Sequence, residues 1–309
     1  TPAGIIYERP ILVPTMRLGQ FSTTADGPAW CGAVVDDSVV NLSVAGEAAG
    51  VSLPEETTAV LGQRNWEEKV SMTVEYATEH GVGVEARDDL VQHEPVSNPQ
   101  KIVCVGLNYI DHAEESGQDV PEEPMLFSKF PTCVNGPGGE ITWDPEYTEQ
   151  VDYEAELVLV VGREARDVDA DDARDHIAGL TVGNDVSARD LQLSDEQWVR
   201  GKSLDTFAPI GPELVTLDEV DDPHDLDVWT ELDGERLQDS STSNLIFGID
   251  ELVAFCSRAF TLEPGDLVFT GTPPGVGVFR DPKVLLDDGD EITVGVEGVG
   301  ELTNVCRHR

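Results

Sequence analysis

The sequence predicts an α+β fold that is rich in β-strands. An unbroken apolar run over residues 157–161 is typical of a buried strand. The last third of the chain repeats short apolar runs between turns, and only one segment there, residues 249–260, has apolar side chains at helical spacing, with Asn244 as its expected N-cap. Many strands with few helices favour a mixed, sheet-rich domain.

Acidic side chains dominate the charge of the chain. It carries 61 Asp and Glu against 19 Lys and Arg, a net charge of −42 in 309 residues. The hydrophobic content of 39% argues against disorder. Acid spread along the whole chain is typical of proteins adapted to a salt-rich cytosol, where ions screen the repulsion. We therefore predict a cytoplasmic, salt-dependent protein that has neither nucleic acid nor a membrane as a partner.

The first 95 residues contain no pattern that suggests chemistry. Residues 1–15 are expected to be an unpatterned leader, and residues 16–95 a small N-terminal α+β domain. That domain should contain a β-hairpin over residues 30–42 and a helix over residues 65–80. The proline-punctuated segment 92–99 is expected to be a linker.

Acidic residues come directly before the apolar strand. Asp152, Glu154 and Glu156 alternate, so in a strand they would point to one face. Asp185 follows the next apolar strand and could meet them. A chain with this many acidic residues contains alternating acidic pairs by chance. The alternative to a metal site is therefore a strand end whose carboxylates are solvated. The buried strand that continues from these acids favours a site for Mg²⁺, Mn²⁺ or Ca²⁺, which carboxylate oxygens suit better than zinc.

A second candidate lies in the acid-rich segment 111–117, which is expected to be helical. His112 and Glu115 are three residues apart and share a helical face. A carboxylate beside an imidazole raises its basicity and fixes its tautomer, as a general base requires. Spacing alone leaves open a surface histidine among surface acids.

Lysine usage and one glycine-rich turn add further candidates. Only five lysines remain beside fourteen arginines, so Lys129 and Lys202 are candidates for specific roles. The turn over residues 271–277 offers backbone N–H groups and the Thr272 hydroxyl, which suit a carboxylate, although an ordinary tight turn fits equally well. Glu196 replaces an essential glycine before Gly201-Lys202-Ser203, which excludes a phosphate-binding loop.

The five scattered cysteines predict reduced, buried thiols and no zinc cluster.

Five motifs in order resemble one known family. They are residues 101–109 with His112, then 152–156, 183–190, 202–207 and 270–277. Together they resemble the fumarylacetoacetate hydrolase family, in particular its shorter members related to acylpyruvases and 2-hydroxyhepta-2,4-diene-1,7-dioate isomerases. The resemblance covers about residues 98 to 306. It implies a catalytic domain built as a β-roll of mixed sheets, a homodimer and a small 2-oxo acid as substrate.

The resemblance also implies a metal centre. Glu154, Glu156 and Asp185 match the family's ligands for Mg²⁺ or Mn²⁺, a site that could take Ca²⁺ in crystals. Lys202 matches the lysine that contacts substrate and stabilises enolate charge.

Five further residues match substrate-contacting positions or the catalytic base. Arg189, Gln192 and Thr272 correspond to positions that bind substrate carboxylate or keto oxygens. His112 and Glu115 correspond to a catalytic dyad on a mobile lid segment.

These expectations together predict a Mg²⁺-dependent hydrolase. It would cleave a C–C bond in acylpyruvate-type 2-oxo acids, such as fumarylpyruvate, through a stabilised enolate. The same site would support dehydration of 2-keto-3-deoxy sugar acids, or isomerisation or decarboxylation of 2-oxo diacids. A non-catalytic metal-binding homologue is the rival from another class, and the presence of a lid base argues against it.

Overall fold

The computed structural model describes residues 16–309, so the expectation of a leader over residues 1–15 lies outside the described residues. The strands are β1 (Arg17–Ser22), β2 (Trp30–Val35), β3 (Ser38–Asn41), β4 (Val84–Ala86), β5 (Val91–His93), β6 (Ile102–Gly106), β7 (Met125–Lys129), β8 (Val134–Asn135), β9 (Glu140–Trp143), β10 (Val151–Asp152), β11 (Ala155–Val161), β12 (Ile177–Asn184), β13 (Ser187–Ala188), β14 (Ala208–Val215), β15 (Asp227–Leu232), β16 (Glu235–Ser241), β17 (Leu267–Phe269), β18 (Glu291–Val296) and β19 (Gly300–His308).

The helices are short, apart from one in the N-terminal part and one in the last third. The α-helices are α1 (Leu42–Ala49), α2 (Thr57–Leu61), α3 (Trp66–His80), α4 (Ile110–Ser116), α5 (Arg189–Ser194), α6 (Val199–Lys202) and α7 (Ile249–Ala259). The 3₁₀ helices are Arg87–Asp89, Pro131–Cys133, Ala170–His176, Leu217–Glu219, Thr242–Asn244 and Gly277–Phe279, and all but Ala170–His176 are single turns. Among the described residues, none of these helices is long and apolar enough to cross a membrane.

The strands form one large and two small sheets. The large sheet has the order β4-β3-β2-β1-β14-β12-β11-β17-β6-β7, with β5 also paired to β1 and β8 to β14. A five-stranded sheet has the order β16-β15-β18-β19-β9, and β10 pairs with β13 alone. Parallel pairs, such as β17 with β6, occur beside antiparallel ones, so the sheets are mixed.

The predicted apolar strand is the interior strand β11. It pairs with β12 on one side and β17 on the other, and all seven of its residues are buried. Val158 and Val160 pack in one core, while Leu157 and Leu159 pack in a second core on the opposite face. Because successive side chains of a strand point to opposite faces, the stretch 157–161, which is covered on both sides, is apolar at every position.

The N-terminal part extends the same large sheet. The predicted hairpin is present as β2 and β3, and α3 ends before Gly81, which adopts a left-handed φ of 66°. β1 pairs antiparallel with β14, which joins this part to the rest of the sheet. Part of the predicted linker instead forms β5 against β1. The division into an N-terminal domain (16–95) and a catalytic domain (98–306) stays a prediction.

The predicted N-cap of α7 is wrong. Asn244 does not cap this helix, because the helix begins at Ile249 and its first turn is closed by Gly248 N–H donating to Glu251 Oε2 (3.0 Å). The segment Ala170–His176 is a 3₁₀ helix. The apolar face of α7 is buried as predicted, and all five cysteines are free and buried.

Candidate active site

Antiparallel pairing brings three carboxylates to one end of the large sheet. Ala155 at the start of β11 pairs with Asn184 at the end of β12. Glu154 and Glu156 lie on either side of Ala155 in the sequence, and Asp185 directly follows Asn184. One oxygen from each lies within 4.8 Å of the others, and all three residues are buried. The three acids that the sequence suggested as metal ligands therefore do converge.

Asp152 does not join them, which corrects the expectation that it shares a face with Glu154 and Glu156. The chain leaves extended pairing at Tyr153 and Glu154, so the alternation is broken. Asp152 belongs to β10, and its carboxylate accepts from Arg189 Nε at 2.8 Å.

Two buried lysines contact the acidic group. Lys202, the last residue of α6, donates to Glu154 Oε2 (2.7 Å) and Asp185 Oδ2 (2.6 Å). Lys129, the last residue of β7, donates to Asp185 Oδ1 (2.5 Å) and to the carbonyl of Val186 (3.0 Å). Asp185 is thus held between two ammonium groups. Buried charges of this kind need such partners, since removing one would leave the other uncompensated.

The surroundings separate the pKa values of the two glutamates. Burial acts to raise the pKa of Glu154, but the charges of Lys202 and Arg189 outweigh it and hold that pKa well below its ordinary value. Burial together with the charges of Asp185 and Glu154 raises the pKa of Glu156 well above its ordinary value. Burial disfavours the ammonium of Lys202, yet the neighbouring carboxylates raise its pKa. Glu156 therefore ionises less readily than Glu154 while no cation is bound.

The donor set fits a hard divalent cation. Three buried carboxylates within one coordination sphere are the ligands that Mg²⁺ and Mn²⁺ take, with waters or substrate completing the shell. Burial, and after it the negative charges of Asp185 and Glu154, raise the pKa of Glu156, and a bound cation would relieve both effects. These three residues are the ones that would hold the ion.

Arg189 and Gln192, on α5, lie beside the acidic group. Arg189 Nη1 donates to Gln192 Oε1 (3.0 Å). Its Nη2 lies 2.7 Å from Glu154 Oε1 as an ion-pair contact, without an aligned hydrogen bond to any described residue. Arg189 is 6% exposed, so this donor faces the interior of the site.

The predicted dyad is present on α4. His112 Nδ1 donates to Glu115 Oε2 (2.9 Å), and Glu115 Oε1 accepts from the backbone N–H of Gly275 (2.9 Å). Burial acts to raise the pKa of Glu115, but the hydrogen bonds from His112 and Gly275 lower it. Among residues 16–309, no group forms a hydrogen bond with Nε2 of His112, whose side chain is 11% exposed.

The glycine-rich turn differs from expectation. Its N–H groups bind carboxylates of the chain itself: Gly271 donates to Glu156 (2.6 Å), Gly275 to Glu115 and Gly277 to Asp152 (2.8 Å). The Thr272 hydroxyl donates to the carbonyl of Ala155 (3.0 Å) and accepts from Gln238 Nε2 (2.8 Å). Thr272 lines the cavity, and its role as a substrate contact stays a prediction.

These groups enclose a cavity of about 130 Å³. Its inner, polar end is formed by side chains that the sequence singled out: His112, Glu154, Glu156, Arg189, Gln192, Lys202 and Thr272. Its other wall is apolar, with Leu107, Met125, Phe127, Trp198 and Phe279. Sequence reasoning missed this wall, because apolar residues carry no signal that separates a cavity lining from a core.

Comparison with known proteins gives the family. The profile named "Fumarylacetoacetate (FAA) hydrolase C-terminal" matches residues 101–307. The chain therefore belongs to the fumarylacetoacetate hydrolase family. It is 38% identical over 307 residues to the mitochondrial oxaloacetate tautomerase fahd2 of Xenopus laevis, covering 98% of this chain and 93% of that one.

Solved structures of the family share the fold. A fumarylacetoacetate hydrolase from psychrophilic Exiguobacterium antarcticum superposes with a TM-score of 0.80 at 33% identity, covering 95% of this chain and 100% of that one. A 2-hydroxyhepta-2,4-diene-1,7-dioate isomerase from Mycobacterium marinum superposes with a TM-score of 0.73 at 33% identity, covering 95% and 99%. The chain is an enzyme of this family, whose members include tautomerases, isomerases and hydrolases.

Proposed function

We propose that this enzyme interconverts the keto and enol forms of a short 2-oxo acid in a metal-dependent reaction. Oxaloacetate is the first substrate to test, because the Xenopus laevis relative is named for that activity. The observation that carries the proposal is the small cavity lined by Glu154, Glu156, Lys202 and His112, with an oxygen of Asp185 within 4.8 Å of those of the two glutamates.

The inner end of the cavity suits a 2-oxo carboxylate. The Lys202 ammonium and the unaligned Nη2 donor of Arg189 offer positive charge to anionic oxygens. Held by Glu154, Glu156 and Asp185, a divalent cation would supply further positive charge there. Negative charge develops on the 2-keto oxygen during enolisation, and the buried ammonium stabilises it more strongly than water would.

His112 supports the proton transfer. Breaking the C3–H bond moves the proton to Nε2, and the electron pair forms the C2=C3 double bond while the 2-keto oxygen becomes negative. Return of that proton from Nε2 to the oxygen through water completes the enol and leaves His112 neutral, and the reverse steps restore the ketone. Glu115 fixes the Nδ1–H tautomer and stabilises the imidazolium.

The size of the cavity favours this reaction over hydrolysis of longer acylpyruvates. Its volume of about 130 Å³ is comparable with the ~150 Å³ cavity that holds one benzene molecule. A four-carbon acid fits with its outer carboxylate toward the mouth, where Leu193 and Phe279 are exposed.

Hydrolysis is the second candidate, and the His112–Glu115 dyad supports it. The same base could activate water for attack on the C4 carbonyl of an acylpyruvate. The C3–C4 bond would then break, with its electron pair moving to C3 so that pyruvate enolate leaves. The relative from Exiguobacterium antarcticum carries a hydrolase name.

A panel of 2-oxo acids separates the two reactions. Enol-oxaloacetate, acetylpyruvate and fumarylpyruvate are incubated with enzyme and Mg²⁺ at molar KCl, and enol absorbance, pyruvate and CO₂ are followed separately. We expect faster loss of enol-oxaloacetate than with Mg²⁺ alone and no pyruvate from it. Pyruvate from fumarylpyruvate would establish the second candidate. If the enzyme leaves the enol decay unchanged, the proposed function is wrong.

A further inference from the structure

Asp152 is a buried carboxylate that the proposed chemistry does not use. Its exposure is 0%, and it receives four hydrogen bonds. Oδ1 accepts from the backbone N–H groups of Tyr153 (2.9 Å) and Gly277 (2.8 Å). Oδ2 accepts from the N–H of Val278 (3.1 Å) and from Arg189 Nε (2.8 Å). A carboxylate offers about four lone-pair positions, so every acceptor position is filled.

The partners of Asp152 form two walls of the same cavity. Arg189 is bound through Nε, which leaves both of its Nη atoms turned to Gln192 and Glu154. On the other side, Asp152 binds the first two N–H groups of the 3₁₀ turn Gly277–Phe279, and Val278 and Phe279 of that turn line the cavity. Asp152 itself does not line it, so it can act on a substrate only through these neighbours.

We propose that Asp152 is a positioning residue for substrate binding. It fixes Arg189 against the turn Gly277–Phe279, so that the guanidinium meets a planar 2-oxo carboxylate without first being ordered. A guanidinium held at Nε presents its fork of donors in a single orientation. The inference rests on the proposed function, because it takes a 2-oxo acid as the ligand of Arg189.

The test compares two buried carboxylates of the chain. Asp152→Asn keeps the size of the side chain but places an NH₂ group opposite Arg189 Nε when its oxygen stays with Gly277. Glu213→Gln is the matched control, since Glu213 is 3% exposed, pairs with Arg17 and Arg87, and does not line the cavity. The probe is oxalate, a planar mimic of the enolate carboxylate, titrated calorimetrically at saturating Mg²⁺.

We expect D152N to weaken oxalate binding and to raise KM for oxaloacetate by about tenfold, because small misplacements of a binding group cost on this order or more. Its kcat should change less than about threefold. E213Q should lower the unfolding temperature as much as D152N and leave oxalate binding and KM unchanged. In an Arg189→Lys background, D152N should add no further loss, because Asp152 then has no guanidinium to orient.

Several results would overturn the proposal. One is an oxalate affinity and a KM that are unchanged in D152N. Another is a loss of oxalate affinity from D152N that is as large in the Arg189→Lys background as in the wild-type enzyme. If D152N fails to fold while E213Q folds, Asp152 has a structural role only. Failure of the wild-type enzyme to bind oxalate would instead refute the proposed function, so the two failures are distinguishable.

Discussion

The raised pKa of Glu156 predicts that Mg²⁺ binding releases a proton. Burial and the charges of Asp185 and Glu154 raise this pKa well above its ordinary value. When no cation is bound, its carboxyl therefore keeps a proton to a higher pH than an ordinary glutamate does. A carboxylate must be ionised to ligate a metal, so binding in that pH range expels the proton. Up to one proton should then leave for each Mg²⁺ bound.

The sign of the pH dependence follows from the same shift. Below the unfolded pKa both states hold the proton, and the contribution of Glu156 to stability is fully present. As pH rises toward and through the raised folded pKa, the unfolded chain has ionised first, so the metal-free protein loses stability at up to about 1.4 kcal/mol per pH unit. Over the same window the affinity for Mg²⁺ should rise by up to about tenfold per pH unit, because one proton is displaced.

Titration calorimetry checks this prediction directly. Mg²⁺ is titrated in two buffers of different ionisation enthalpy at several pH values, and the difference in heat counts the protons. Glu156→Gln is the matched variant, which cannot release the proton and should bind Mg²⁺ weakly. Equal heats in both buffers, together with an affinity for Mg²⁺ that does not change with pH, would show that Glu156 releases no proton when Mg²⁺ binds.

Three further predictions concern the base, the ammonium and the surface. His112→Ala should lower kcat by about 10²-fold or more, since it removes the general base. The affinity for Mg²⁺, measured by calorimetry, should stay unchanged. Turnover at the wild-type rate would exclude a role of His112 in proton transfer. Lys202→Met should lower kcat/KM for oxaloacetate by about 10²-fold, as loss of one charge-stabilising donor does, and an unchanged value would remove Lys202 from the chemistry. The unfolding temperature should rise steeply with KCl, because ions screen the net charge of −42, and a temperature indifferent to salt would contradict the interpretation of the surface.

The parts of the fold that the sequence predicted are those that depend on local pattern. The run in β11 is apolar because the strand is covered on both faces, and this can be inferred from the residues alone. Asn244 illustrates the limit of such patterns. It looked like a helix cap, but its amide donates to Asp111 Oδ2 (3.1 Å), a residue 133 positions away, and α7 starts later.

The candidate site shows the same division. Glu154, Glu156 and Asp185 could be predicted because each adjoins an apolar strand, and antiparallel pairing brings such strand ends together. The contacts of Asp152 could not be predicted, because its partners on the turn Gly277–Phe279 lie about 125 positions further along the chain. Strict alternation also failed at Tyr153, where pairing stops.

In the proposed function, the carboxylates of Glu154, Glu156 and Asp185 hold one divalent cation beside Lys202 and His112. Anomalous diffraction from crystals grown with Mn²⁺ locates such an ion. We expect one strong peak within about 2.0–2.3 Å of oxygens from these three residues, as octahedral Mn²⁺ or Mg²⁺ requires. A fully occupied peak elsewhere on the chain, with none between these three side chains, would contradict it.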